Sequence, residues 1–373
     1  MKRQQVPWRI LYVAYPLLTV SEESAGGAEQ VLWTLERELS RRGVDTTVAA
    51  SSGSSAAGEL FATGDPCRAL DDFDRRNHEH QDQVVELLRR RARQGQPFDL
   101  VHDMSGSFWT RAQEVGVPLL ATLHLPRSFY PRESLENISA NVALSFVSQA
   151  QASTFRGLLS TRATVINNGI ALERFVPNLS REDRDGLLWL GRICEEKAPH
   201  RALEIARQAS LPITLAGQTY PFSYHQRYFE TEVAPRLSSV SNTAFFSLPS
   251  VAEKHRLLRR AQALLITSQV EETSSLVAME AAASGTPVIA FRRGALAEVV
   301  RDGVTGFIVD GVDGAVQALS LIGEISSAVC ALHARENFSS KAMADRYLHL
   351  YSQTLGLDPR TSGAVPTSSP AAA

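Results

Sequence analysis

Short β-rich runs alternate with longer helical stretches along most of this chain, in two successive series. Strands joined through helices run parallel, so the alternation predicts parallel sheets with crossover helices. In the first series the strand candidates are Trp8 to Ala14, Val44 to Ala50, Leu100 to His102, Leu119 to His124, Val142 to Ser148 and Thr164 to Asn167. A helix from Gly27 to Arg42 stops at Gly43, a residue that ends helices readily. The second series opens near Gly186 with Leu187 to Gly191 and a helix from about Pro199. It continues through Ile213 to Gly217, Thr243 to Phe246, Ala263 to Thr267, Pro287 to Ala290 and Gly306 to Val309. The expectation is an α/β chain of two Rossmann-like domains, 1–178 and 186–340, with a polar junction from Asn178 to Asp185. Open parallel sheets take ligands at the carboxyl ends of their strands, so two that face each other form a cleft.

Composition narrows the class without choosing a function. A chain of 373 residues, 44% hydrophobic and 21% charged, has the make-up of a globular protein of two or three domains. Its net charge of −2 leaves no electrostatic footprint for nucleic acid. Cys67, Cys194 and Cys330 are too widely spaced to suggest a metal cluster or a disulfide framework, which favours a reduced, cytoplasmic protein. No run reaches the roughly eighteen apolar residues of a membrane span, and the amino terminus lacks the apolar core of a signal peptide. The Asn-x-Ser triplets at Asn137, Asn178 and Asn337 are then accidental. Val84 to Arg93 reads as a surface helix whose final arginines complement the helix dipole rather than as a membrane-docking segment. The stretch from Leu355 onward, rich in Pro, Ser, Thr and Ala, is expected to be a mobile tail, 355–373.

Chemistry concentrates between Glu271 and Ala290, which reads Glu-Glu-Thr-Ser-Ser-Leu-Val-Ala-Met-Glu-Ala-Ala-Ala-Ser-Gly-Thr-Pro-Val-Ile-Ala. Glu272 precedes a helix start, Glu280 lies more than one turn inside the helix, and Gly285 and an apolar strand follow. Ser274 or Ser275 can cap the first turn, where free N–H groups and the positive end of the dipole attract a phosphate. Glu280 can accept hydrogen bonds from a ribose diol, and Glu272 remains free to face a sugar. The chain has no Gly-x-Gly-x-x-Gly fingerprint, Walker loop or Gly-x-Ser-x-Gly elbow.

This order resembles the glutamate-x7-glutamate motif of the retaining family-4 glycosyltransferases. Both glutamates and the Glu-Ala-Ala-Ala-Ser-Gly-Thr-Pro-Val run are kept, while Thr273-Ser274-Ser275 replaces the usual Gly-Phe-Gly. Side chains at 273 or 275 would narrow the approach of a donor sugar. Gly191-Arg192-Ile193-Cys194-Glu195-Glu196-Lys197 resembles the family's Gly-Arg-x4-Lys segment, and Gly26-Gly27-Ala28-Glu29 its Gly-Gly-x-Glu. His124 matches a family histidine near the reacting sugar, and Ser148 another family position; His102-Asp103 ends a strand of the same sheet. The segments Val165 to Ile170, Phe175, Pro177, Gly294 to Val300 and Asp302 to Phe307 extend the likeness. Glu298 among them reads equally well as a surface charge.

The resemblance implies the two-domain GT-B fold, with the acceptor in the first domain, the nucleotide-sugar in the second, and a last helix, 341–354, returning to the first. It implies transfer of a sugar from a nucleotide diphosphate donor, UDP-sugar by family frequency, with retention. His124, Glu272, Arg192 and Lys197 would be catalytic. Gly26, Gly27, Ser274, Ser275, Leu276 and Glu280 would bind the donor. No metal and no cofactor are required, because Arg192, Lys197 and the helix amides can hold the diphosphate. The acceptor, whether a glycan, a lipid-linked sugar or a small metabolite, would meet the variable loops of the first domain, including Ser51 to Gly64. Membrane contact is not indicated. A nucleotide-sugar 2-epimerase and a non-catalytic nucleotide-sugar-binding subunit are the alternatives, and release of free nucleotide diphosphate to an acceptor separates all three.

Overall fold

The computed structural model describes residues 8–357 except 68, 160–162, 181, 221, 239, 241 and 248. The strand-forming runs of the first series assemble a seven-stranded parallel sheet in the order β3-β2-β1-β4-β5-β6-β7. Its strands are β1 (Arg9–Val13), β2 (Asp45–Ala50), β3 (Glu59–Ala62), β4 (Leu100–Asp103), β5 (Leu119–Leu123), β6 (Val142–Phe146) and β7 (Ala163–Val165). The second series forms a six-stranded parallel sheet, β10-β9-β8-β11-β12-β13. Its members are β8 (Leu187–Leu190), β9 (Ile213–Gly217), β10 (Thr243–Ser247), β11 (Ala263–Ile266), β12 (Val288–Phe291) and β13 (Gly306–Val309). In register, Ile10 pairs with Thr46 on one side and Leu100 on the other, and Leu188 with Thr214 and Leu264. The strand order therefore reverses beside β1 and beside β8, and the loops leaving these two strands open onto the crevices of their sheets. Those loops lead to Gly26-Gly27 and to Arg192.

The helices used below are α1 (Gly27–Ser40), α2 (Phe73–Arg93), α3 (Gln149–Thr154), α4 (Pro199–Ala209), α5 (Ser223–Tyr228), α6 (Val251–Arg260), α7 (Leu276–Ala283), α8 (Ser327–Asn337) and α9 (Ser340–Thr354). Apolar side chains cover both faces of each sheet, giving four buried clusters. Val84, Val85, Leu87 and Leu88 place α2 on one face of the first sheet, while Arg90, Arg91 and Arg93 occupy its last turn. On the other face Leu32, Leu35 and Leu39 of α1 meet Met343, Ala344, Tyr347 and Tyr351 of α9. No single helix among the described residues is long and apolar enough to cross a membrane.

The polar stretch Ser51 to Gly64, expected to be loop, contains the edge strand β3, with Glu59 in register with Thr47. Glu36 of α1 organises this edge. Its buried carboxylate accepts from Thr46 Oγ1 and from the Ala57 and Gly58 amides. The strand is four residues long and only partly buried, so it leaves little hydrophobic signature.

The two domains are joined by two crossings that run side by side. Ile170 and Ser339 form a parallel bridge, with Ile170 N donating to Phe338 O and Ser340 N to Ile170 O. A Cβ on Gly169 would lie 2.6 Å from the Ser339 carbonyl oxygen, so only glycine permits this approach. Beyond the second crossing α9 is anchored beneath the first sheet by a buried polar network. His102 bonds Tyr351 OH and Thr122 Oγ1, both at 2.7 Å, and Tyr12 OH lies 3.2 Å from Tyr351 OH. His102 is thereby committed to the interior rather than to the cleft. Residues 358–373, the greater part of the expected tail, lie outside the described residues.

Candidate functional site

The start of α7 faces the first domain. Ser275 adopts an extended conformation, and its Oγ accepts from Ala278 N at 3.3 Å, so Ser275 rather than Ser274 caps the helix. Ser274 Oγ is buried with no hydrogen-bond partner. Leu276 begins the helix and faces Gly27 of the first domain: a Cβ there would lie 3.8 Å from Leu276 Cδ1. Gly26 is more tightly confined, since a Cβ would fall 1.9 Å from Glu29 Oε2.

The two motif glutamates are both engaged by lysine. Lys197 Nζ donates to Glu272 Oε1 at 2.5 Å, and Lys254 Nζ to Glu280 Oε1 at 2.6 Å. The chain spends lysine sparingly: among its 38 lysines and arginines only Lys2, Lys197, Lys254 and Lys341 are lysines. An ammonium satisfies a carboxylate with one of three donors and keeps the others for a ligand. Glu280, read from the sequence as an acceptor for a ribose diol, has a counter-charge supplied by α6. Glu272 also accepts from Ser268 Oγ, and its side chain is 10% exposed. The Lys197 side chain is 31% exposed, which leaves its remaining donors accessible.

The loop from β8 to α4 is held in an unusual path. Ala198 has φ +48 although it carries a side chain, a conformation held here by hydrogen bonds. Thr267 Oγ1 donates to the carbonyls of Lys197 and Ala198, and the Ala198 amide bonds back to Cys194 O. Arg192 leaves the same loop and stacks over Tyr220, with 5.1 Å between guanidinium carbon and ring centroid. Lys197 and Glu272 are thus in direct contact, whereas Arg192 approaches from the Tyr220 side. All three cysteines are buried thiols. Contrary to their spacing in sequence, one of them, Cys194, lies within 4.8 Å of Glu196 and His225.

First-domain titratable groups near the cleft are buried and shifted toward their neutral forms. His124 is buried, its Nε2 has no partner, and burial pushes its imidazole down to about 4. Its backbone carbonyl accepts from Thr273 Oγ1 at 2.7 Å, so the departure from Gly-Phe-Gly supplies a clasp across the cleft. Burial pushes the Glu29 carboxyl up to about 7 and Asp103 up to about 6. Asp103 is nonetheless bonded by the Ser105 and Trp109 amides and the Ser105 hydroxyl.

Several participants carry no local sequence signal. Glu298, which lies in a family-like segment but reads equally well as a surface charge, accepts from the Gln149 and Ala150 amides of α3, the latter at 2.5 Å. With Ser148 capping the same helix, this ties the second domain to the first. Arg174 of the linker pairs with Glu22, and Trp33 lies between Arg37 and Arg174, 4.7 and 4.9 Å from its centroid. Glu22, Trp33 and Arg174, with Lys254, His255, Leu276 and Glu280, line a groove between the domains.

Known proteins share this fold. The family model for glycosyl transferases of group 1 matches residues 172–339, and that for glycosyltransferase family 4 matches 25–174. A D-inositol 3-phosphate glycosyltransferase of Rhodococcus opacus is 27% identical over 90% of this chain and 87% of its own length. One from Thermobifida fusca is 28% identical over 61% of this chain; the chain spans about three fifths, 62%, of that relative's length. Sucrose-phosphate synthase from Thermosynechococcus elongatus superposes with a TM-score of 0.74 at 20% identity, over 94% of this chain and 99% of that one. AviGT4, a glycosyltransferase involved in avilamycin A biosynthesis, gives 0.70 at 22% identity over 94% and 98%. Anabaena HepE in complex with UDP-glucose gives 0.71 at 16% identity over 92% and 99%.

Proposed function

The chain belongs to the group 1 glycosyltransferases and has the GT-B fold, and we propose that it moves a sugar from a nucleotide diphosphate donor to a sugar-like hydroxyl acceptor with retention. A UDP-sugar is the first choice of donor; the crystallised complex of HepE with UDP-glucose favours it. The names of the inositol phosphate relatives favour a polyol or polyol phosphate among acceptors.

The observation that carries this reading is the Lys197–Glu272 pair beside the Ser275-capped start of α7, with His124 held across the cleft by Thr273. As the sugar departs, negative charge grows on the diphosphate. Arg192, the remaining donors of Lys197 and the first amides of α7 are the groups that would stabilise it. Glu280, oriented by Lys254, takes the ribose diol. Glu272 orients sugar hydroxyls, and neutral His124 offers Nε2 to another. With Glu272 tied to Lys197 and Ser268, neither motif glutamate is placed as a nucleophile. Retention then proceeds by same-face substitution, in which the leaving phosphate accepts the acceptor's proton. Transfer needs no metal on this reading, and the second domain holds the donor while the first receives the acceptor. The reaction is placed in the cytoplasm, where buried thiols stay reduced.

The test is incubation with UDP-, GDP- and ADP-hexoses and a polyol phosphate panel that includes D-inositol 3-phosphate, followed by assay of free nucleotide and of the product's anomeric configuration. Nucleotide release with a retained product is expected. An inverted product, an epimerised donor or no reaction with any pair would overturn the proposal.

A further inference from the structure

A second cluster of polar groups lies beside Arg192, whose guanidinium charge acts on all three of its members. Cys194 and Glu196 come from that loop, and His225 from α5 in the connection after β9. One donor atom from each lies within 4.8 Å of the other two. Cys194 and His225 are wholly buried, and Glu196 is half-buried. Neither ring nitrogen of His225 has a hydrogen-bond partner, and neither does Glu196 Oε2. Buried polar atoms are ordinarily paired, so the unpartnered His225 nitrogens and Glu196 Oε2, beside a Cys194 thiol that bonds the Arg192 carbonyl, indicate an occupant. Tyr220, Phe222 and Tyr224 pack around the His225 ring with centroids 5.8, 5.3 and 4.3 Å away, giving the site an aromatic wall.

We propose that Cys194 Sγ, a carboxylate oxygen of Glu196 and one nitrogen of His225 bind a thiophilic divalent cation of the zinc class, with the fourth position open. A sulfur, nitrogen and oxygen donor set selects zinc-like ions over magnesium or calcium, which prefer oxygen alone. Thiolate and carboxylate together neutralise the ion. On binding, the thiol releases its proton to solvent and the metal–sulfur bond replaces the sulfur–hydrogen bond; no oxidation is involved. The three donors draw together from their present separations to meet the ion. The loop after β8 would then be fastened to α5 at a point two residues from Arg192 and three from Lys197. The ion's role is structural: it fixes the loop that carries both cations, and the sugar is transferred elsewhere. This site would exist even if the donor or the reaction assigned above were wrong, because its evidence is the ligand set and its unpartnered atoms, not any contact with a nucleotide-sugar.

The purified full chain, stripped with a chelator, is titrated with Co²⁺ alone. One equivalent should produce a thiolate-to-cobalt charge-transfer band and the intense visible absorption of a four-coordinate site, and Zn²⁺ should displace the cobalt. Cys194→Ser should abolish the charge-transfer band, whereas Cys67→Ser/Cys330→Ser should retain it. His225→Gln and Glu196→Gln should each weaken binding at least tenfold while keeping sulfur ligation. Should Cys194→Ser fail to fold, X-ray absorption of zinc-loaded wild type decides: one sulfur at about 2.3 Å is expected. Absence of a charge-transfer band in the wild type, its survival in Cys194→Ser, unchanged affinity in His225→Gln, or a zinc shell without sulfur would each overturn the proposal.

Discussion

The two walls of the cleft solve opposite electrostatic problems. On the second-domain side the charges are present and already paired, Lys197 with Glu272 and Lys254 with Glu280. On the first-domain side the groups are neutral or nearly so: His124 with an Nε2 that bonds none of the described residues, and Glu29 pushed up to about 7 by burial. A wall of fixed charges can hold a diphosphate with little rearrangement, because its dipoles are oriented before the ligand arrives. A neutral wall with unmet hydrogen bonds suits hydroxyl groups, which would supply the missing partners.

Disturbing the charged wall should have the largest effect. Lys254→Met leaves the nearly buried Glu280 carboxylate without its counter-charge, and a stability loss of about 3–5 kcal/mol is expected in urea denaturation. The double variant Lys254→Met/Glu280→Leu should recover much of that loss but not donor binding; recovery of both would remove the pair from the donor site. Arg192→Ala should lower kcat/KM by about 10²–10³ with the melting temperature nearly unchanged. Wild-type turnover in that variant would show that the Tyr220-stacked guanidinium is structural.

The neutral wall should reveal itself through pH. The folded chain keeps a proton on Glu29 up to about 7, whereas the unfolded chain has released it above its ordinary value of 4.5. This group therefore subtracts stability progressively as pH rises from about 4.5 to about 7, and by a constant amount above. Glu29→Gln should remove that slope, gaining up to about 3 kcal/mol relative to wild type between pH 4 and pH 8. A parallel pH profile for the two proteins would mean that Glu29 is not the group responsible.

Within the charged wall the glutamates should part company. Glu280→Gln should chiefly raise donor KM and weaken binding of the bare nucleotide. Glu272→Gln should chiefly lower kcat, by about 2 kcal/mol in transition-state terms, with nucleotide binding almost intact. Steady-state kinetics with calorimetry would expose an exchange of roles. The smallest effect belongs to the clasp between the walls. Thr273→Val should cost about 1 kcal/mol, read as a several-fold rise in donor KM; an unchanged KM would show that the contact with the His124 carbonyl does nothing for closure.

What could be read from the sequence follows from how locally each feature is encoded. The helix start at Ser275 and the strand before Arg192 lie in contiguous runs whose periodicity and capping residues act over a few positions, so both were legible. Lys254 was not, because within Ala252-Glu253-Lys254-His255-Arg256 it looks like any solvated helix charge, and its partner lies 26 positions away. Glu298 and His225 share that obscurity: their significance comes from elements that only folding brings together. β3 escaped for another reason, since its four residues are shaped by the buried Glu36 more than by their own hydrophobicity.

The paired crossings at Ile170 and Ser339 have a mechanical corollary. Because the chain leaves the first domain and re-enters it beside its point of exit, the second domain is a loop hung from one seam. Stretched between Arg9 and Leu355, the molecule would carry tension through β1, the first sheet and α9, leaving the second domain slack. Rupture should begin where α9 peels from the sheet and the His102–Tyr351 contact gives way. Only then would load reach the second domain, so a single-molecule pulling trace should show two events in fixed order.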